Sequence, residues 1–109
     1  MQPVEIAERM TGRLTETAPG RAEAFLPSPK VQNHAAFLAP LPGGDLLCAW
    51  FGGTLEGKSD ISIFASVLAK GTAQWGPPQR LSLDDAHSEQ NPVLFTAPDG
   101  RLWLFHTSQ

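Results

Sequence analysis

One pattern occurs twice in the chain, first as QNHAAFLAPLPGGDLLCAW (residues 32–50) and again as QNPVLFTAPDGRLWLFHT (residues 90–107). Both copies begin with Gln-Asn, continue as an apolar run, reach a turn that contains proline and glycine, and resume as a second apolar run. Glycine in such a turn supplies the positive φ that a tight hairpin requires. Each copy therefore predicts a β-hairpin, and the sequence indicates a repeated antiparallel unit.

The spacing of the copies predicts the architecture. Gln32 lies 58 positions before Gln90, whereas Gly44 lies 56 positions before Gly100, so the alignment contains a slip of two residues. Apolar runs bounded by turn residues predict strands near Ala35–Leu41, Leu46–Phe51, Ile61–Leu68, Gln79–Leu83, Val93–Thr96 and Leu102–His106. Four strands before the pattern restarts are typical of a propeller blade. We expect an all-β partial β-propeller of about two four-stranded antiparallel blades, the second of them incomplete.

The N-terminal segment differs from the rest. Residues 1–24 place a few apolar side chains at roughly helical spacing, but Gly12 and the Pro19-Gly20 pair interrupt them. We expect a short N-terminal arm or helix over 1–24, followed by an incomplete propeller domain over 25–109.

Composition excludes several classes of function. The net charge is −3 and no cluster of lysine and arginine occurs, which argues against nucleic acid as a partner. No apolar run approaches the roughly 20 residues of a membrane span, and the acidic N-terminus does not resemble a signal peptide, so we expect a cytoplasmic protein with no membrane partner. Cys48 lies in an apolar run, so we expect it to be a small buried hydrophobic residue. No metal-ligand spacing occurs, so no cofactor is expected.

From Phe25 to the last residue, the sequence resembles the opening blades of the bacterial sialidase-like BNR-repeat family of six-bladed β-propellers. The family's Asp-box, Ser-x-Asp-x-Gly-x-Thr-Trp, has a loosened counterpart in SVLAKGTAQWGPP, which keeps Ser66, Gly71, Thr72 and Trp75 but lacks the aspartate. Trp75 is also interpreted as an aromatic anchor ahead of an outer strand. The resemblance implies the N-terminal fragment of a sialidase-like glycosidase with exo-α-sialidase-type hydrolysis.

Ligands of propellers bind at one mouth of the ring, where the loops around the innermost strands converge. Two segments fit that position, PSPKVQNH before the first predicted strand and GGTLEGKSD between the second and third. The candidate side chains in them are Lys30, Gln32, Asn33, His34, Glu56, Lys58 and Asp60. Gln90 and Asn91 repeat the Gln-Asn pair, and we expect them either to bind sugar hydroxyls or to cap the edge of a blade.

The resemblance also implies roles. The family's first blade supplies an arginine that holds the substrate carboxylate; the corresponding stretch FLPSPKV has no arginine, and Lys30 offers only a point charge. The family's acid/base aspartate corresponds to Asp60, whose pKa we expect a partly closed mouth to raise, with Glu56 as the second choice. The other interpretation of both is a solvated loop carboxylate. His34 aligns with Pro92, so the scaffold does not require histidine there and we count it as a candidate site residue.

The chain cannot complete sialidase chemistry alone, because that chemistry uses a tyrosine nucleophile and the sequence contains no tyrosine. Whether the chain belongs to an enzyme stays open. The alternatives are an oligomerising carbohydrate-binding module without catalysis, a polysaccharide lyase-type propeller with His34 as proton carrier, and an interaction scaffold without a glycan site. The expected partners are a carbohydrate and further copies of the chain that complete a propeller.

Overall fold

The structure is a computed structural model, which describes residues 8–54, 60–82 and 84–109. Its strands are β1 (Thr15–Ala18), β2 (Arg21–Glu23), β3 (Gln32–Pro40), β4 (Leu46–Gly53), β5 (Ser62–Leu68), β6 (Gln79–Arg80), β7 (Glu89–Thr96) and β8 (Leu102–Ser108). They form a β1–β2 hairpin, a four-stranded sheet in the order β3-β4-β5-β6 and a β7–β8 hairpin, all antiparallel. We call these the N-terminal hairpin, the first blade and the second hairpin. The prediction of an all-β fold of partial propeller blades is confirmed.

The inner strands begin earlier than predicted, because each contains a β-bulge. The register of β3 against β4 shifts between His34 and Phe37, and the register of β7 against β8 shifts between Gln90 and Val93. A residue with left-handed backbone lies in each bulge, Ala35 at φ 52° and Asn91 at φ 55°. A bulge inserts one extra residue and disturbs the period-2 alternation on which strand prediction depends.

The two bulges fix the period of the repeat. They place His34 opposite Phe51 and Gln90 opposite Thr107, so His34 is equivalent to Gln90 at an offset of 56. The turns share that offset, since Gly44 N donates to Leu41 O and Gly100 N donates to Ala97 O. The slip of two residues in the sequence alignment is therefore wrong. The Gln-Asn pairs are not structurally equivalent, and His34 does not correspond to Pro92.

In the described part of the segment expected as an arm or short helix, Glu8 and Arg9 are helical and residues 15–23 form the N-terminal hairpin. Its turn is Pro19-Gly20, with Gly20 at φ 75°. The residues before it pair with the first blade, since Leu14 N donates to Ala73 O and Trp75 N donates to Gly12 O, both at 2.8 Å. The N-terminal segment therefore packs on the propeller domain through backbone hydrogen bonds.

The first blade is covered on both faces. On one face, Cys48, Trp50, Phe64 and Trp75 form a buried cluster against Ala24 and Leu26 of the N-terminal segment. On the other face, Ala39, Leu47, Ala49 and Ala65 pack with Leu94 of the second hairpin. Cys48 and Trp75 are buried as predicted, and burial raises the pKa of the Cys48 thiol. Within the described ranges, no helix has the length and apolar character needed to cross a bilayer.

Candidate functional site

One end of the sheets gathers the predicted site residues; we call it the mouth. Antiparallel pairing brings the start of β3 beside the end of β4 through Gln32 and Gly53, and the end of β4 beside the start of β5 through Gly52 and Ser62. The second hairpin joins the same end, because Glu89 N donates to Ile61 O at 3.1 Å. The fold therefore brings the starts of β3, β5 and β7 together, and Lys30, His34 and Asp60 lie at or next to these starts.

Asp60 lies at the mouth and is hydrogen-bonded to Thr54. Its Oδ2 accepts a hydrogen bond from Thr54 Oγ1 at 2.6 Å and another from Thr54 N at 3.1 Å. Its Oδ1 is buried and has no hydrogen-bond partner in the described part of the chain. One carboxylate oxygen thus fixes the side chain, and the other has no partner among the described residues.

The pKa of Asp60 is lowered, not raised. The main cause is the hydrogen bond from the Thr54 hydroxyl; the Thr54 amide and the positive charge of Lys30 add to it, while burial opposes it. The expectation of a raised pKa is therefore wrong, because donors around the carboxylate outweigh its desolvation. Asp60 is ionised at neutral pH, so in this form it can accept a proton or a hydrogen bond and has no proton to donate.

Lys30 and Asn33 belong to one hydrogen-bonded loop. Ser28 Oγ lies 2.6 Å from Asn33 Oδ1 and accepts from Lys30 N at 3.2 Å, and Asn33 Nδ2 donates to Lys30 O at 3.1 Å. Gly52 permits this packing, because a Cβ atom there would lie 2.5 Å from Asn33 Oδ1. Asn33 thus shapes the loop that carries Lys30, and Lys30 supplies the positive charge near Asp60.

His34 is half-buried and has an unsatisfied ring nitrogen. Its ring stacks on Phe51 with centroids 5.1 Å apart, and its Nε2 is buried without a hydrogen-bond partner among the described residues. The equivalent Gln90 is satisfied, because its Nε2 donates to Ser88 Oγ at 2.7 Å. Trp50 Nε1 is likewise buried without a partner. Both His34 and Trp50 line a cavity of about 340 Å³.

The remaining predicted residues divide between scaffold and surface. Gln90 is buried, and its backbone carbonyl accepts a hydrogen bond from Thr107 Oγ1 at 3.1 Å. Asn91 is exposed in its bulge, and Gln32 is half-buried beside Gly53. The predictions for Glu56 and Lys58 fall on residues outside the described ranges.

Sequence reasoning missed Glu89 and His106, which the structure brings together at the mouth. Glu89 is buried, its Oε1 accepts from Asp84 N at 3.2 Å, and its Oε2 lies 3.7 Å from His106 Nε2. The 56-residue offset would have drawn attention to Glu89, since it makes this buried carboxyl the equivalent of Asn33.

The fold and the mouth define a protein built of propeller-type blade repeats with polar side chains gathered at one end of its sheets. The family model described as BNR repeat-like domain matches residues 44–109, more than half of the chain, so the chain belongs to that family. At this coarse level it is a member of the BNR/sialidase-like superfamily. No curated protein and no solved structure matches the chain. Among the described residues, no group of three or more His, Cys, Asp and Glu side chains is arranged to hold a metal ion.

Proposed function

We propose that the chain is the glycan-contacting N-terminal part of a sialidase-like glycosidase and that the mouth is its substrate site. The observation that carries this proposal is the unsatisfied polar groups of the mouth, Asp60 Oδ1 and His34 Nε2. A buried polar atom without a partner is costly unless a ligand or water satisfies it. A sugar carries hydroxyl groups that both donate and accept, so it can satisfy an anionic oxygen as well as a ring nitrogen.

Each side chain has a distinct role in this proposal. The free oxygen of ionised Asp60 accepts a hydrogen bond from a sugar hydroxyl or takes a proton from an attacking group. His34 hydrogen-bonds a second sugar oxygen through Nε2. Lys30 balances the charge of a substrate carboxylate as a point charge. Because the chain has no tyrosine, we assign it binding and proton transfer and not the covalent step of sialidase chemistry.

One observation favours a second candidate, a polysaccharide lyase-type reaction. The lowered pKa of Asp60 suits a base and does not suit a general acid. A lyase begins with removal of the proton next to a uronate carboxylate, for which an ionised carboxylate or a neutral imidazole is the required form. The two candidates use the same residues and differ in the sugar that the mouth prefers.

Binding of defined sugars to the full chain tests the proposal. We expect an α-sialoside or a methyl glucuronide to shift NMR signals of residues at the mouth, the sialoside favouring the hydrolase and the glucuronide favouring the lyase. Asp60→Asn should weaken binding about tenfold, because a charged acceptor is replaced by a neutral amide. His34→Gln should also weaken binding while the fold is retained, because glutamine occupies the equivalent position of the second hairpin.

The matched control is Asp99→Asn. Asp99 Oδ1 also accepts a backbone hydrogen bond, from Arg101 N at 3.0 Å, but lies in the turn at the opposite end of the second hairpin. Its substitution should leave sugar binding unchanged. The proposal is rejected if neither sugar binds the wild-type chain at millimolar concentration, or if Asp60→Asn and Asp99→Asn weaken binding equally.

A further inference from the structure

The second hairpin has an exposed apolar face on the side away from the first blade; we call it the head face. It consists of Val93, Phe95, Trp103 and Phe105, whose exposed fractions are 47%, 53%, 50% and 56%. Val93 pairs with Phe105 and Phe95 pairs with Trp103, so all four side chains lie on the same face of the hairpin. The rings of Trp103 and Phe105 stack at 6.2 Å. A contiguous patch of large apolar side chains is a mark of an interaction surface.

The repeat identifies what such a face contacts. At the 56-residue offset, the head-face positions correspond to Phe37, Ala39, Leu47 and Ala49 of the first blade. In the first blade these positions pack against Leu94 and Leu104 of the second hairpin. The head face is therefore the second copy of a surface that the chain already uses once, between its own sheets.

The complementary surface also has a second copy, which we call the tail face. Leu94 and Leu104 correspond to Leu38 and Cys48 of the first blade. Leu94 is only 6% exposed, because the first blade covers it, whereas the equivalent Leu38 is 58% exposed. The N-terminal segment covers Cys48, so the tail face consists of the exposed Leu38 and the half-buried Leu46 beside it. It presents part of the surface that the head-type positions of the first blade bind within the chain.

The sizes of the side chains on the two faces match. The head face carries three aromatic rings where the first blade has Ala39, Leu47 and Ala49. A cavity of about 490 Å³ lies at the tail face, lined in part by the small side chains of Ala22, Ala24 and Ala36. Large projecting groups on one face thus meet a recess on the other, as close packing of an interface requires.

We propose that a second copy of this chain covers the head face with its tail face, so that copies associate head to tail. In this contact, two molecules pack together in the same way as the first blade packs on the second hairpin within one chain. Because it joins two different surfaces, it is heterologous and each added copy presents a new head face. This association does not depend on the proposed glycan site.

Sedimentation velocity on the full chain over a range of concentrations tests the association. We expect species larger than the 11.7 kDa monomer that grow with concentration. Phe105→Asp on the head face and Leu38→Glu on the tail face should each weaken association at least tenfold, and Trp103→Ser provides a second head variant. Val31→Asp is the matched control, because Val31 is 84% exposed but precedes β3 and belongs to neither face.

Mixing the two charged variants distinguishes head-to-tail contact from contact of two head faces. Phe105→Asp keeps an intact tail face and Leu38→Glu keeps an intact head face, so the mixture should form a dimer that grows no further. Circular dichroism of each variant checks that the fold is retained. A wild-type chain that stays monomeric at all concentrations would overturn the proposal, as would association that Leu38→Glu leaves intact or a mixture of folded variants that forms no dimer.

Discussion

The β3–β4 hairpin and the β7–β8 hairpin share their geometry and differ in what covers them. Both have a bulge near the mouth, the same register and a turn closed by the same backbone hydrogen bond. The first is covered by the N-terminal segment on one face and by the second hairpin on the other, whereas the second is covered on one face alone among the described residues. Equivalent positions therefore have equal backbones and unequal burial, so substitutions at them separate the contribution of packing from that of local structure.

The largest expected difference is at the paired leucines. Leu94→Ala should lower the free energy of unfolding by about 2–5 kcal/mol, because it removes buried methyl groups and leaves a cavity. The equivalent Leu38→Ala should change it by less than about 0.5 kcal/mol, because Leu38 is exposed in the isolated chain. Urea unfolding at low protein concentration measures both values. Equal losses would mean that the two positions are covered alike.

The next difference concerns overpacking. Ala49 is fully buried, and Ala49→Phe should cost about 1–3 kcal/mol of stability, because the blade interface has no room for a ring. The reverse change at the equivalent position, Phe105→Ala, should cost less than about 0.5 kcal/mol. The urea midpoints of the two variants report the contrast. If Ala49→Phe caused no loss of stability, the expected contrast between the two variants would be absent and the prediction would be wrong.

The bulges provide a smaller effect. Ala35 adopts a left-handed backbone at φ 52°, which costs an L-residue about 1–2 kcal/mol, so Ala35→Gly should raise stability by up to about 1 kcal/mol after glycine's entropic cost. Asn91 has nearly the same φ of 55° but tolerates it, so Asn91→Gly should be close to neutral. Thermal unfolding measures both. A loss of stability in Ala35→Gly would contradict the strained bulge.

The smallest effect is a titration at the mouth of the first hairpin. Thr54→Val removes the hydroxyl that is the main cause of the lowered pKa of Asp60, so the pKa should rise towards its ordinary value. Because the folded pKa is the lower one, ionised Asp60 contributes stability that is fully present above the unfolded pKa and is lost as the pH falls through the folded value. In Thr54→Val the folded and unfolded pKa values of Asp60 should lie closer together, so this stability should be lost over a narrower range of pH.

NMR titration of the Asp60 carboxyl measures the shift. Thr107→Val is the control, because the Thr107 hydroxyl donates to Gln90 O at the mouth of the second hairpin, and the change should leave the Asp60 pKa in place. An Asp60 pKa that does not rise in Thr54→Val would show that the hydroxyl is not its cause.

The sequence predicted β3 to β8 and the two main turns because their signals are local. Alternation of apolar residues and a glycine in each turn determine a hairpin without long-range information, and Gly44 and Gly100 both have the positive φ that was expected, 102° and 88°. The turn of the N-terminal hairpin at Pro19-Gly20 carried the same signal, but the apolar residues before it were interpreted as a short helix or an arm. The residues before this turn form backbone hydrogen bonds with Ala73 and Trp75, and these long-range contacts cannot be predicted from the N-terminal segment alone.

The sequence predicted that the candidate residues share one end of the sheets, but it predicted neither the electrostatics nor the strand register at that end. Alanine at position 35 does not indicate a bulge in the sequence. The two Gln-Asn pairs were therefore aligned by residue identity, and His34 was compared with Pro92 instead of Gln90. The lowered pKa of Asp60 depends on Thr54, which lies six positions away and contacts the carboxylate only because β4 and β5 are antiparallel neighbours. The pKa of Asp60 therefore depends on which strands are neighbours in the sheet. Sequence segments considered one at a time do not contain that information.

The matching head and tail faces also bear on how genes for such proteins lengthen. In the head-to-tail arrangement that we propose, a tandem duplication of one period in the DNA would add a sheet whose two faces correspond to those of the sheets before and after it. A longer polypeptide would then need no new kind of interface, and selection could act afterwards on the side chains at the mouth.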